Sequence, residues 1–178
     1  MMQYTTRYET PLGRVLLAAD ETGLTGLWFD GAKYYAAGLN PQHEEKEVPV
    51  FETTRRWLAL YFSGQEPDHL PPVHLIGSPF QRRVWEIMLE IPYGQTMTYK
   101  ELAVRIAEER GIPRMSAQAV GGAVAHNPIS IILPCHRMVG SNGSLTGYAG
   151  GIPRKIELLK LEGVPMEGLF VPAKSTAL

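Results

Sequence analysis

Four prolines crowd residues 66–79, at Pro67, Pro71, Pro72 and Pro79. Proline fixes φ and removes a backbone donor, so neither a helix nor a central strand can run through this stretch. The chain therefore reads as two units. Residues 1–76 form a structural α+β unit and residues 77–165 a helical one, with an irregular tail over 166–178. Charge divides at the same place. Residues 1–76 carry six Lys or Arg and ten Asp or Glu, whereas residues 77–165 carry ten and seven. The basic excess of the second unit permits a nucleic-acid face without requiring one.

In the first unit, residues 4–8, 15–19 and 24–29 read as short strands. They are separated by the turn signals Pro11-Leu12-Gly13 and Asp20-Glu21-Thr22-Gly23. Three such strands predict an antiparallel sheet. Residues 31–49 lack a pattern and read as a loop with at most one helical turn. Apolar residues at 51, 57, 58, 61 and 62 predict a helix lying on the sheet and ending at Gly64. Residues 73–76 are a further candidate strand. No cluster of acids, histidines or hydroxyls marks this unit as a site.

The second unit reads as helices. Ser78 is a candidate N-cap with Pro79 at the first helical position, for a helix reaching about residue 90. Thr98, with Glu101 at the capping-box spacing, opens a second helix that ends at Gly111. Ser116 opens a third over residues 117–126, rich in Ala and Gly. Gly121 and Gly122 fall mid-helix, where each glycine costs about 0.8–1 kcal/mol relative to alanine. The pair implies close approach to another helix or to a ligand. The spacing of the second and third helices fits a helix-turn-helix and equally a plain αα-hairpin. Residues 152–162 predict a last helix, stopped by Gly163.

Between the third and last helices lies the single cysteine, Cys135. An apolar run, Ile129 and Ile131 to Leu133, leads through Pro134 to it, and a loop follows over residues 140–144. The expected structure is a buried strand or extended segment presenting one sulfur at its end. A solitary cysteine is often a small buried hydrophobe. His136 and Arg137 are unusual neighbours for that role, and both can lower a thiol pKa. One cysteine excludes an internal disulfide and a thiolate zinc cluster. With no apolar run long enough to span a bilayer and a polar stretch over residues 1–10, a reduced cytoplasmic setting is expected.

These residues resemble the O6-alkylguanine-DNA alkyltransferase family. The likeness rests on Pro134-Cys135-His136-Arg137, with Asn127-Pro128 before it and Gly143-Ser144-Leu145-Thr146-Gly147-Tyr148 after. It is carried further by Ile91-Pro92-Tyr93-Gly94-Gln95, by Tyr99 with Glu101-Leu102, by Ala119-Val120-Gly121-Gly122-Ala123 and by Leu161-Glu162-Gly163. The match is dense over residues 78–163 and weaker before them.

The resemblance implies an α+β protein: a small ribonuclease H-like antiparallel sheet with a helix, then a mostly helical domain with a helix-turn-helix. It implies direct-reversal DNA repair. An alkyl group passes irreversibly from O6-alkylguanine, and from O4-alkylthymine, in a flipped-out base to Cys135, without cofactor or metal. The partner is double-stranded DNA approached from the minor-groove side by a monomer with no membrane association. Cys135 is then the acceptor and His136 a base acting through water, oriented by Glu162. Asn127 orders the turn, and Tyr99 protonates the base and helps extrude it. Tyr148, Met138, Val139, Ala149 and Gly150 line the alkyl pocket. Thr98, Arg114, Gln118, Ala119, Gly121, Gly122, Ala125 and Arg137 form the DNA face, although an ion pair that holds the fold is the favoured role for Arg137.

The chain departs from the family pattern in places. Gln118 stands where well-studied members carry an arginine that fills the gap left by the flipped base. The segment from Tyr99 to Gln118 is a few residues longer, so Arg114 is expected to compensate. Ala149 replaces a serine and leaves room for larger alkyl groups. The rival reading is a lesion-binding protein without chemistry, and family members of that kind lack the acceptor cysteine.

Overall fold

The structure is a computed structural model that describes residues 1–173. The end of the expected irregular tail, residues 174–178, lies outside the described residues. The chain forms two compact units. One is Met1–Ile76 with Pro128–Ile132, and the other is Gly77–Asn127 with the chain from Leu133 onward.

In the first unit β1 (Gln3–Thr10), β2 (Gly13–Ala19) and β3 (Leu24–Phe29) form the predicted antiparallel meander. A fourth strand, β4 (His43–Glu45), pairs parallel with β1 and completes the order β3-β2-β1-β4. It lies in the stretch read as loop, because all three of its residues are exposed and no burial alternation marks it. Its Glu44 and Glu45 put charge on an open sheet edge, which discourages pairing with other chains.

α1 (Pro49–Phe62) buries Phe51, Thr54, Trp57, Leu58 and Tyr61, and packs on β1 and β2. Leu16 and Ala18 of β2 and Trp28 of β3 form a further cluster with Ala36 and Leu39 of the following loop. The free edge of β3 is covered in two places. Leu24 bonds to Pro72 and His74, and Leu27 bonds to Pro128 and Ser130. Residues 73–76 thus supply one bridge, at Val73, and no strand.

In the second unit α2 (Pro79–Met88) starts from a full capping box: the Ser78 side chain accepts from Gln81 N, and the Gln81 side chain accepts from Ser78 N. α3 (Tyr99–Arg110) starts at Thr98, whose hydroxyl accepts from Glu101 N, and closes on Gly111 in the left-handed region. α4 (Ala117–Ala125) starts at Ser116, which accepts from Ala119 N. α2 and α3 both pack on α4. The buried Trp85 indole of α2 donates to Ala123 O of α4 at 2.9 Å. β5 (Met97–Thr98) and β6 (Met138–Val139) make a short parallel pair. That pair ties the start of α3 to the segment after the cysteine. α5 (Ile152–Leu161) closes the unit. The tail stays irregular as far as it is described, with Phe170 bonded to Gly143 and Leu145.

A candidate thiol active site

The cysteine is delivered by two tight bends, which corrects the expected extended segment. After Ile129 pairs with Leu27, Ile131 takes φ 71° and Ile132 N bonds to Ser130 O, a γ-turn with positive φ. Such a conformation is strained for a β-branched residue. Pro134 follows with φ −81° and ψ 62°, and Cys135 N bonds to Leu133 O, an inverse γ-turn. Cys135–Arg137 then form one 3-10 turn. An apolar run signals burial but not its local geometry, which is why the sequence suggested a strand.

Asn127, just past α4, spans the bend. Its amide donates to Leu133 O at 2.8 Å and to Cys135 Sγ at 3.1 Å. Cys135 is 4% exposed. Burial pushes its pKa up to about 11, against the pull of the Asn127 bond and of the Lys155 charge. In the resting protein it is therefore a thiol that needs a base.

His136 is fully buried and its Nε2 lies 2.6 Å from Glu162 Oε2. Burial depresses the imidazole pKa despite the carboxylate. A neutral ring donating Nε2–H to Glu162 leaves Nδ1 as an acceptor. Nδ1 is buried without a hydrogen-bond partner among the described residues.

Glu162 caps the end of α5 and takes further donors. Arg137 reaches it through Nε at 2.8 Å and Nη2 at 3.1 Å, and Gly94 N at 3.0 Å. Burial alone would raise this carboxyl, but the His136 and Arg137 bonds outweigh it and hold it well below the usual range. Gly94 has φ 78°, and a Cβ there would stand 3.1 Å from the Glu162 carbonyl, so glycine is required. The third Arg137 contact is Nη1 to Ile91 O at 2.7 Å.

Tyr99, the first residue of α3, donates its hydroxyl to Thr146 O at 3.2 Å. Burial first, and the nearby Cys135 charge second, raise its pKa, so it remains a proton donor. The same Thr146 O accepts from Lys155 Nζ at 3.0 Å, and Lys155 also donates to Met138 O. Lys155 is completely buried, and burial lowers its pKa to about 8. Sequence reasoning missed this residue. The available signal was spacing: Lys155, Leu158, Leu159 and Glu162 fall at i, i+3, i+4 and i+7, the buried stripe of α5.

The proposed pocket residues fare differently. Met138, Tyr148 and Gly150 are buried and Ala149 is half-buried. Val139 requires a correction. Its side chain belongs to the core cluster of Leu145, Leu159 and Val164, because β6 alternates and Met138 takes the other face.

The proposed DNA face is reduced in the same way. Arg114, Gln118 and Ala119 are exposed, and Thr98 and Gly122 half-exposed. Gln118, Ala119 and Gly122 share one side of α4, and a Cβ on Gly122 would meet nothing within 4 Å. Gly121 and Ala125 are buried. Arg137 is committed to Glu162 and Ile91 O, with its side chain 11% exposed. These three do not belong to an exposed face. Among the described residues no group of three His, Cys, Asp or Glu side chains is placed to hold a metal ion.

Comparison with known proteins places both parts of the chain in one family. The family profile for the DNA-binding domain of 6-O-methylguanine DNA methyltransferase matches residues 79–164. The profile for its ribonuclease-like domain matches residues 3–71. A methylated-DNA–protein-cysteine methyltransferase of Haemophilus influenzae is 41% identical, covering 91% of this chain and 87% of its own. One from Methanosarcina acetivorans is 43% identical, covering 90% and 98%. Among solved structures, Mycobacterium tuberculosis OGT in complex with DNA superposes with a TM-score of 0.75 at 38% identity, covering 91% of this chain and 92% of that one.

Proposed function

The chain belongs to the methylated-DNA–protein-cysteine methyltransferase family, and from that premise we propose that it repairs O6-alkylguanine, and O4-alkylthymine, by moving the alkyl group to Cys135 once per molecule. One observation carries the chemistry. The Cys135 thiol sits beside a neutral, buried His136 whose Nε2–H is fixed on Glu162 and whose Nδ1 lone pair is uncommitted. His136 takes the thiol proton through a bridging water, since adjacent residues reach each other poorly. Glu162 stabilises the imidazolium that results. The Asn127 amide bond to Sγ strengthens as charge builds on sulfur.

The thiolate attacks the alkyl carbon, the C–O6 bond breaks, and its electron pair leaves with the purine. Tyr99, held in its protonated form, supplies a proton to N3 of the departing base. Nucleophile, base and donor are all side chains, so the reaction is proposed to need no cofactor.

In this reading α3, residues 111–116 and α4 act as a helix-turn-helix on duplex DNA, with the Gln118, Ala119 and Gly122 side entering the minor groove. Small residues allow the backbone to come close there. Gln118 occupies the space left by the flipped base, an extrusion that costs a few kcal/mol. Arg114 and Thr98 contact phosphates. The protein is proposed to act as a monomer in the reducing cytoplasm, where a free thiol persists.

The deciding experiment is intact mass and peptide mapping after mixing the protein with a duplex holding one O6-methylguanine. One methyl increment on Cys135 is expected, absent with unmodified DNA and in Cys135→Ala. Lesion binding without an increment would establish a recognition protein instead.

A further inference from the structure

We propose that residues 168–170 of the tail brace the loop over residues 143–148 and so limit the size of the alkyl group that Cys135 accepts. This rests on the reading of Cys135 as the acceptor and of Tyr148, Ala149 and Gly150 as the lining of its pocket. The brace is made of main chain. Phe170 N donates to Gly143 O at 3.1 Å, and Leu145 N donates to Phe170 O at 2.8 Å, a parallel bridge centred on Ser144. Gly143 has φ 92°, and a Cβ on it would collide with Gly168 O, so the two backbones pass in direct contact. The Phe170 side chain itself is 44% exposed.

Side chains reinforce the bridge. Leu145 is buried in one cluster with Val139, Leu159 and Val164, and Met166 and Leu169 pack against it. Three of these residues, Val164, Met166 and Leu169, come from the tail. Tail and loop thus share an apolar core as well as two hydrogen bonds.

A brace matters because this loop has little stiffness of its own. Gly147, Gly150 and Gly151 fall within five residues, and Gly143, Gly147 and Gly151 all take positive φ. Glycine backbone has many accessible conformations, so partners outside the loop must supply its order. Thr146 O accepts from Tyr99 and Lys155, and the tail holds Gly143 and Leu145. Tyr148 follows Leu145 by three residues and is buried. Ala149 beside it has only a methyl side chain and fills little space. The room left for an alkyl group is therefore decided by where the loop backbone is held. A braced loop keeps the pocket wall close and fits a methyl group. A released loop yields to a bulky group and holds a small one less well. Phe170 and Gly143 act through Tyr148 and its neighbours, and are positioning residues.

Three variants test this. Phe170→Pro removes the N–H that donates to Gly143 O. Gly143→Ala sets a methyl group against Gly168 O. Phe170→Ala keeps both main-chain bonds. Each is compared with wild type in single-turnover reactions with duplexes holding one O6-methylguanine or one O6-benzylguanine, and with methyl iodide, which reports the thiol alone. Phe170→Pro and Gly143→Ala are expected to raise the benzyl-to-methyl rate ratio by roughly tenfold, the discrimination a pocket draws from about one methylene of space. The methyl iodide rate is expected to stay unchanged, and Phe170→Ala to keep the wild-type ratio. A merely structural role would lower the rates together and leave the ratio as it was. An unchanged ratio in Phe170→Pro and Gly143→Ala overturns the proposal, as does a shift in Phe170→Ala equal to that in Phe170→Pro. If one of Phe170→Pro and Gly143→Ala does not fold, the other decides. Hydrogen exchange at the Leu145 amide is a second check on the wild-type protein. Protection is expected there, and exchange as fast as in an open loop overturns the brace. A wild-type protein with a protected Leu145 amide that reacts with neither duplex would sink the functional reading instead.

Discussion

At the scale of single residues, the site depends on side chains that each do two jobs. Asn127 holds Leu133 O and Cys135 Sγ with one amide, so it shapes the bend and stabilises charge on sulfur. Hydrogen bonds to charged groups contribute about 1.5–3 kcal/mol, and each 1.4 kcal/mol is tenfold in rate. Asn127→Ala is therefore expected to slow single-turnover repair of an O6-methylguanine duplex by roughly tenfold to a hundredfold. Gln118 is exposed and unencumbered by packing on the first turn of α4. Gln118→Ala is expected to weaken lesion binding and slow repair, while the rate of Cys135 with methyl iodide stays unchanged. Wild-type repair in that variant would remove any role for Gln118 in the extruded state.

At the scale of elements, α4 separates two kinds of small residue. Val120, Gly121, Ala123, Val124 and Ala125 are buried in a helix on which α2 and α3 both pack. Gly122 is half-exposed, and added bulk there meets open space. Gly122→Ala is accordingly expected to leave the fold intact and to raise stability by up to about 1 kcal/mol through helix propensity. The same variant is expected to bind duplex DNA more weakly, measured by fluorescence anisotropy. A gain in stability with unchanged affinity would mean that DNA does not approach α4 at this point. The sequence posed this choice between helix and ligand but could not make it, because a glycine pair looks alike on either face.

At the scale of the whole molecule, buried ionisable groups set the pH range of stability. Glu162 is held below its ordinary value of 4.5, so its contribution is present above that pH and is lost as the pH falls. Lys155 is lowered from 10.5 to about 8, so stability rises with pH across that interval. Cys135 is raised from 9.0 to about 11 and works in the opposite direction above pH 9. Thermal unfolding is expected to show a higher Tm at pH 9 than at pH 8, a rise that disappears in Lys155→Met. The acid limb below about pH 4.5 is expected to be shallower in Glu162→Gln. A wild-type acid limb in that variant would assign the acid transition to other carboxylates.

The amino-acid sequence determined what is local. Strand and helix positions followed from apolar period and from the punctuation of Ser78, Pro79, Thr98, Gly111 and Ser116, since caps and backbone preferences act within a few residues. Cys135 with His136 and Arg137 stood out by residue type and adjacency, whereas Asn127, Tyr99 and Glu162 were named through the resemblance to a known family. Tertiary structure decided the rest. It folded the apolar run before the cysteine into two γ-turns, added an exposed β4 that no pattern marked, and took Arg137, Gly121 and Ala125 off the exposed face. It also brought Lys155, Tyr99 and the Met138 and Thr146 carbonyls together. Those outcomes depend on long-range packing and on the balance of buried charge, which one residue's neighbours in sequence do not encode.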